Sequence, residues 1–246
     1  MPPIASDALV LRTYALGETS KVVVLLTRER GKARAVAKGA RGRRSRYRSA
    51  LEPLSEVRVG LHGRQGTELF RLGACELIRS AHRAGRLGLD QSLALSYCAE
   101  LLESFAQEGQ AEDAVYRLGV AAVEAIERGQ ATDTVTRYLE VWLLKLGGVY
   151  PPMDRCASCE KALGAGGRDY HEPSHGFVCH DCQPASGPTL SEAAVAFVGS
   201  CLAQPPAEVE SRPPPELERF HHRLLVTHLE RELKSPRVIR DVARQR

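Results

Sequence analysis

Two C-x-x-C pairs, Cys156-Ala-Ser-Cys159 and Cys179-His-Asp-Cys182, stand nineteen residues apart in this chain. That spacing belongs to a two-knuckle metal site, in which four thiolates complete a tetrahedron around zinc. The segment around them is rich in turns, so the expectation is a four-cysteine zinc ribbon over residues 151–185, held by one structural zinc ion where apolar content is too small to do so. Four cysteines leave no open coordination position, which argues against a catalytic metal. His171, His175 and His180 lie between or beside the knuckles and are expected on the surface or as hydrogen-bond partners of a ligand. A nucleobase deaminase is excluded on order and type. The H-x-E triplet, His228-Leu229-Glu230, follows the cysteines, and no P-C-x-x-C occurs. The other cysteines, Cys75, Cys98 and Cys201, sit among apolar residues and read as core fillers.

The second feature is charge. Between Arg28 and Arg48 ten basic residues face one acidic residue, a net +9 in a chain whose total is +4. Such a concentration is the footprint of a polyanion site, because neutralising a row of phosphates releases condensed counterions. Lys32 and Arg34 alternate with Ala33, Ala35 and Ala37, which puts both cations on one side of a strand. Lys38, Arg41, Arg43, Arg44, Arg46 and Arg48 come next, with Gly39 and Gly42 allowing close backbone approach. Tyr47 stands among these arginines as a candidate for stacking on a base, whereas Tyr14 and Phe70 read equally well as core. With 5% aromatic residues, phosphate contacts should dominate and sequence selectivity should be low. No P-loop, nucleophile elbow or clustered carboxylate set is present, so neither an ATP-driven motor nor a hydrolase is expected.

Periodicity supplies the fold class, α+β and multidomain. Ala8 to Leu16, Lys21 to Arg28, Lys32 to Lys38, Glu56 to His62 and Thr67 to Leu77 read as five strands, with a longer gap after the third. That count and spacing predict an N-terminal five-stranded OB-fold β-barrel over residues 1–80, whose ligand face lies on the second and third strands. From residue 81 the period becomes helical. Leu89, Leu93, Tyr97, Leu101 and Phe105 form one stripe with Asp90 as its cap, and Val115 to Ile126 a second. A third runs from Val135 to Leu146 and stops at Gly147-Gly148, while Ser191 caps a fourth helix. A proline-rich connector, Gln204 to Pro215, precedes a last helix through Leu217 and Leu229 that ends near Ser235-Pro236. Residues 81–150 and 186–246 are thus expected to form an α-helical bundle into which the ribbon is inserted. The basic tail from Arg237 onward is expected to be mobile. No apolar run reaches membrane-span length and no signal-peptide layout opens the chain, which predicts a cytoplasmic protein.

Several of these segments resemble the RecO family of bacterial recombination mediators and DNA-repair proteins. The likeness lies in Gly17-Glu18-Thr19-Ser20 leading into Lys21 to Thr27, in Arg30-Gly31-Lys32, and in Val36-Ala37-Lys38-Gly39-Ala40-Arg41. It continues through Leu143 to Gly148 and from Pro151 to Arg155-Cys156, and the last fifty residues match in general character. The resemblance implies an OB-fold, a helical domain and an inserted zinc ribbon. It further implies a non-enzymatic, nucleoid-associated protein that binds single- and double-stranded DNA and anneals complementary strands. RecR is then the expected partner, together with the acidic C-terminal tail of single-strand-binding protein (SSB) docking on the helical body and a functional link to loading of RecA recombinase. The family's basic DNA-binding face maps onto Lys32, Arg34, Lys38 and Arg41 with the arginine loop after them.

Two readings compete. A zinc-ribbon OB-fold protein that binds RNA would carry the same basic face, and competition between matched DNA and RNA strands separates the two. A zinc hydrolase or deaminase would require a water or nitrogen ligand in place of a sulfur.

Overall fold

The computed structural model describes residues 3–47, 50–64, 67–80, 82, 87–182 and 187–245. It divides into two compact units, Met1–Thr132 with Leu233–Arg246, and Asp133–Glu232. Among the described residues no helix is long and apolar enough to cross a membrane.

In the first unit, β1 (Ile4–Leu16), β2 (Ser20–Thr27), β3 (Gly31–Ala37), β4 (Glu56–His62) and β5 (Phe70–Arg79) close a barrel in the order β1-β2-β3-β5-β4. β3 and β5 run parallel and the other neighbouring pairs antiparallel, as in an OB-fold. Strict alternation builds this barrel: Ala8 and Val10, Val23 and Leu25, Ala33, Ala35 and Ala37, and Val57, Val59 and Leu61 point inward. β1 begins four residues before its expected start, because Ile4 to Ala8 pair with Leu61 to Val57 of β4.

A bulge between Val10 and Arg12 shifts the register of β1 against β2. Such an extra residue bends the strand and re-aims the side chains beyond it. Before it, Leu9 pairs with Leu26 on the outer face, where α1 (Leu89–Phe105) and α2 (Asp113–Glu127) cover the sheet. Gly119 permits the approach of α2, since a Cβ there would lie 2.7 Å from Leu9 Cδ1. Gly31, in the left-handed region at φ 60°, lets the β2–β3 turn sit against the carbonyls of Gln107 and Gln110, into which a Cβ would drive. α1 starts at Leu89 rather than after Asp90, with Gly88 N–H donating to Gln91 Oε1 at 3.0 Å.

The tail departs from expectation. Ser235–Arg244 forms a helix, α6, packed on α1. Pro236 stops a helix that arrives from its N-terminal side yet favours one that starts there, because its missing N–H falls among the unpaired donors of a first turn. Glu100 of α1 completes that start: its two carboxylate oxygens accept from Lys234 N and Ser235 N, both at 2.8 Å. An anion is favoured at this end of a helix. Glu100→Ala is expected to cost about 1 kcal/mol, measured as faster amide exchange through Ser235–Arg244 with unchanged exchange in α2.

The second unit contains α3 (Thr132–Leu146), β6 (Arg168–His171), β7 (Gly176–Val178), β8 (Thr189–Leu190), α4 (Glu192–Ala203) and α5 (Pro215–Leu229). α3 ends where expected, Gly148 taking φ 69° while Val149 N donates to Leu144 O at 2.8 Å. Ser191 Oγ accepts from Ala194 N at 3.2 Å as the cap of α4. An aromatic cluster joins the short sheet to α5, with the Phe220 ring 5.3 Å from Tyr170, 5.6 Å from Phe177 and 6.0 Å from Tyr150. Cys98 and Cys201 are fully buried and Cys75 half-buried, in keeping with core fillers. Burial pushes the Cys75 thiol up to about 11 and that of Cys201 to about 12.

Candidate nucleic-acid interface and metal centre

The outer face of β1, β2 and β3 is arranged in rows across the strands. One row is Arg12, Val24 and Arg34; the next is Tyr14, Val22 and Val36. Lys32 and Arg34 do share this face, but each is engaged. Lys32 Nζ donates to Glu103 O at 3.1 Å, and Arg34 pairs with Glu108 at 3.0 Å. Arg12 likewise meets Glu103, at 2.6 Å.

The loop after β3 carries the freer charge. Lys38, Arg41, Arg43, Arg44 and Arg46 are exposed, and Lys38, Arg43 and Arg44 have no ion pair among the described residues. Arg41 anchors the loop to the β1–β2 turn, its backbone N–H donating to Thr19 O at 3.0 Å and its Nη1 to Gly17 O at 2.6 Å. Arg48 lies outside the described residues.

Tyr47 is not available to a base. It is 2% exposed and belongs to the barrel core with Ala50 and Leu51. Its hydroxyl donates to Leu72 O at 3.1 Å, and Arg46 Nη2 donates to that same hydroxyl at 2.6 Å, with Cζ 4.8 Å from the ring centroid. A buried phenol is retained because its polar end finds such partners. Phe70 is also core, whereas Tyr14 is 45% exposed. The bulge explains this: it turns Arg12, Tyr14 and Leu16 onto the outer face, and it leaves no signal in the apolar pattern of β1.

In the second unit all four cysteines converge, their sulfurs within 4.8 Å of one another. Cys159 Sγ and Cys179 Sγ are 3.7 Å apart. A tetrahedron with metal–sulfur bonds of about 2.3 Å has edges of about 3.8 Å, so the donor set fits one tetrahedral ion. Cys156 Sγ is the buried member and accepts from Cys179 N at 3.3 Å and Ser158 N at 3.4 Å. These amides, that of Cys179 first, pull its thiol down to about 6. The Cys182 thiol is pushed up to about 12, mainly by hydrogen bonding to Cys159 and Cys179. Four thiolates at this separation repel, and a dication is what relieves them.

The scaffold around the sulfurs is specific. Gly176 at the start of β7 lies against the first knuckle, where a Cβ would meet Ala157 Cβ at 2.5 Å. Ala157 N donates to Phe177 O at 2.7 Å. Arg168 is 9% exposed despite its charge. Its guanidinium donates to the carbonyls of Met153 (2.6 Å), Gly164, Gly166 and Gly167 (each 2.9 Å), organising the loop between knuckle and strand. His171 Nδ1 is bonded to Ser174 Oγ at 2.7 Å, and among the described residues the metal-competent cluster contains cysteines alone.

Comparison with known proteins bears on both units. Residues 1–81 match the family model "Recombination protein O N terminal" and residues 86–237 match "Recombination protein O C terminal". The chain belongs to the RecO family. Relatives called DNA repair protein RecO include one from Koribacter versatilis, 32% identical over 93% of this chain and 94% of its own length. Others come from Anaeromyxobacter sp. (strain Fw109-5), 33% identical over 92% of this chain and 89% of its own, and from a Nocardioides strain, 31% identical over 93% and 96%. The OB-fold barrel and the four-cysteine cluster are thus found in a chain that is RecO-like along nearly its whole length.

Proposed function

We propose that this RecO-family protein is a DNA repair and recombination mediator that binds single- and double-stranded DNA, anneals complementary strands and, with RecR, helps load RecA onto SSB-coated strands. The observation that carries the reading is the exposed cluster Lys38, Arg43 and Arg44, held by Arg41 against the β1–β2 turn of an OB-fold. Residues 1–80 would carry the strand, and the four cysteines of residues 151–185 would hold one zinc ion in a structural role. Bound zinc would supply charge neutralisation and a fixed tetrahedral link between the two knuckles. The acidic tail of SSB would dock on the helical residues and bring the protein to a coated strand.

Annealing in this scheme needs no catalytic group. Two polyanions repel, and a cationic surface that holds one strand by its phosphates screens that repulsion and raises the encounter rate of the second.

The test is the annealing rate of complementary strands precoated with SSB, without ATP. Acceleration by the wild type is expected, with loss in a Lys38→Ala/Arg43→Ala/Arg44→Ala triple variant. In parallel, the salt slope of single-strand binding should fall by about 0.7 for each phosphate contact removed, about 2 in all. An unchanged slope would mean that the loop is merely solvated.

A further inference from the structure

Beyond the charged loop, the barrel presents an apolar surface that folding leaves uncovered. On the outer face of β1 the side chains of Tyr14 and Leu16 are 45% and 43% exposed, side by side in an i, i+2 relation. Val22, the β2 partner of Tyr14, is buried, and Val36 continues the row on β3. α1 and α2 cover the rows toward Leu9 and Leu26, and the salt bridges of Arg12 and Arg34 mark the edge of that cover. Arg12 Cζ lies 5.8 Å from the Tyr14 ring centroid, steadying one side of the ring.

We propose that Tyr14 and Leu16 form a platform on which unstacked bases of a single strand rest while the adjoining loop holds its phosphates. This rests on the nucleic-acid reading of the same barrel and assigns the part of the strand that the charged loop leaves unread. Charge complementarity selects the occupant. Lys38, Arg41, Arg43 and Arg44 project from the loop that Arg41 ties to Gly17 and Thr19, and Leu16 immediately precedes that turn. The acidic residue of the turn is Glu18. A ligand that joins flat apolar faces to closely spaced anions fits both halves of this surface.

Spacing then separates single strands from duplex. Residues i and i+2 of a strand stand about 6.8 Å apart, twice the separation of about 3.4 Å between stacked nucleotides of one strand. Bases lying on Tyr14 and Leu16 must therefore be splayed. A duplex cannot offer them without unpairing, so the platform favours single strands, whereas the charged loop holds either form.

The decisive experiment compares wild type, Tyr14→Leu and Tyr14→Phe on three ligands of equal length: oligothymidylate, an abasic deoxyribose-phosphate strand, and a duplex, each over a salt series. Tyr14→Leu should weaken oligothymidylate binding about tenfold with no change in salt slope. Tyr14→Phe should bind within about twofold of wild type, since the π-face is retained. Neither variant should alter binding to the abasic strand or the duplex. Equal affinity of wild type and Tyr14→Leu for oligothymidylate would overturn the platform, as would an equal loss on the abasic strand. If the wild type binds none of the three, the nucleic-acid reading of the barrel fails with it. An acidic peptide that displaces no strand yet loses affinity in Tyr14→Leu would reassign the surface to a protein partner.

Discussion

Stripping the metal with a strong chelator, or changing Cys156→Ser, is expected to unfold the knuckles while leaving strand binding within about twofold of wild type. Cys156 is the sulfur on which two backbone amides converge, from Ser158 in its own knuckle and from Cys179 in the other. Its loss therefore removes one of the four converging sulfurs and the link between the two loops together. A structural zinc contributes about 10–16 kcal/mol of apparent binding free energy in isolated fingers. In this chain part of the ribbon has other support, because Tyr170 and Phe177 pack on Phe220 of α5 and Arg168 holds five carbonyls. The loss should accordingly be confined to Arg155–Glu160 and Cys179–Cys182, with β6 and β7 keeping their protection. Amide exchange with and without chelator would measure it, and a local loss of at least about 3 kcal/mol of protection is expected. Strand affinity that collapses in a protein still folded at β6 and β7 would place the ribbon in the interface.

The barrel was legible in the sequence because its periodicity and composition agree. Val22–Leu26 is an unbroken apolar run, Ala33, Ala35 and Ala37 fall on alternate positions after it, and the gap after β3 matches an OB-fold. The four cysteines were legible because metal ligation requires a fixed spacing within each knuckle. The features that the sequence hid are consequences of long-range placement. A tyrosine flanked by arginines looks exposed, yet Tyr47 fills the barrel, since its hydroxyl finds Leu72 O from a strand 25 residues away. Tyr14 reads equally well as core in the sequence, but a one-residue bulge turns it outward. Likewise α6 depends on Glu100, 134 residues before Lys234, and nothing near Ser235 announces an acceptor. Arg168 reads as surface charge because its partners are carbonyls, which every residue has.

Inside the second unit, Glu140→Ala is expected to destabilise by about 3–5 kcal/mol, the cost of stranding its buried partners. Glu140 is fully buried on α3, accepting from Arg137 at 2.8 Å and from His221 Nδ1 on α5 at 2.8 Å. His221 Nε2 lies 3.1 Å from the Tyr150 hydroxyl. One proton arrangement satisfies every member: Arg137 charged, Glu140 ionised, His221 neutral with its proton on Nδ1, and Tyr150 donating to Nε2. Burial holds the His221 pKa below its usual value, opposed by Glu140, and burial holds the Tyr150 hydroxyl protonated by raising its pKa. These directions fix the sign of the pH dependence. The native state keeps His221 neutral while the unfolded chain protonates it below about 6.5. Stability from this group is therefore complete above that pH and is lost as the pH falls toward the depressed native value. Urea unfolding between pH 5 and 8 should show the wild type losing stability on the acid side, and His221→Gln should flatten that dependence while lowering stability at pH 7. A His221→Gln variant with the full wild-type acid slope would show that other groups set it.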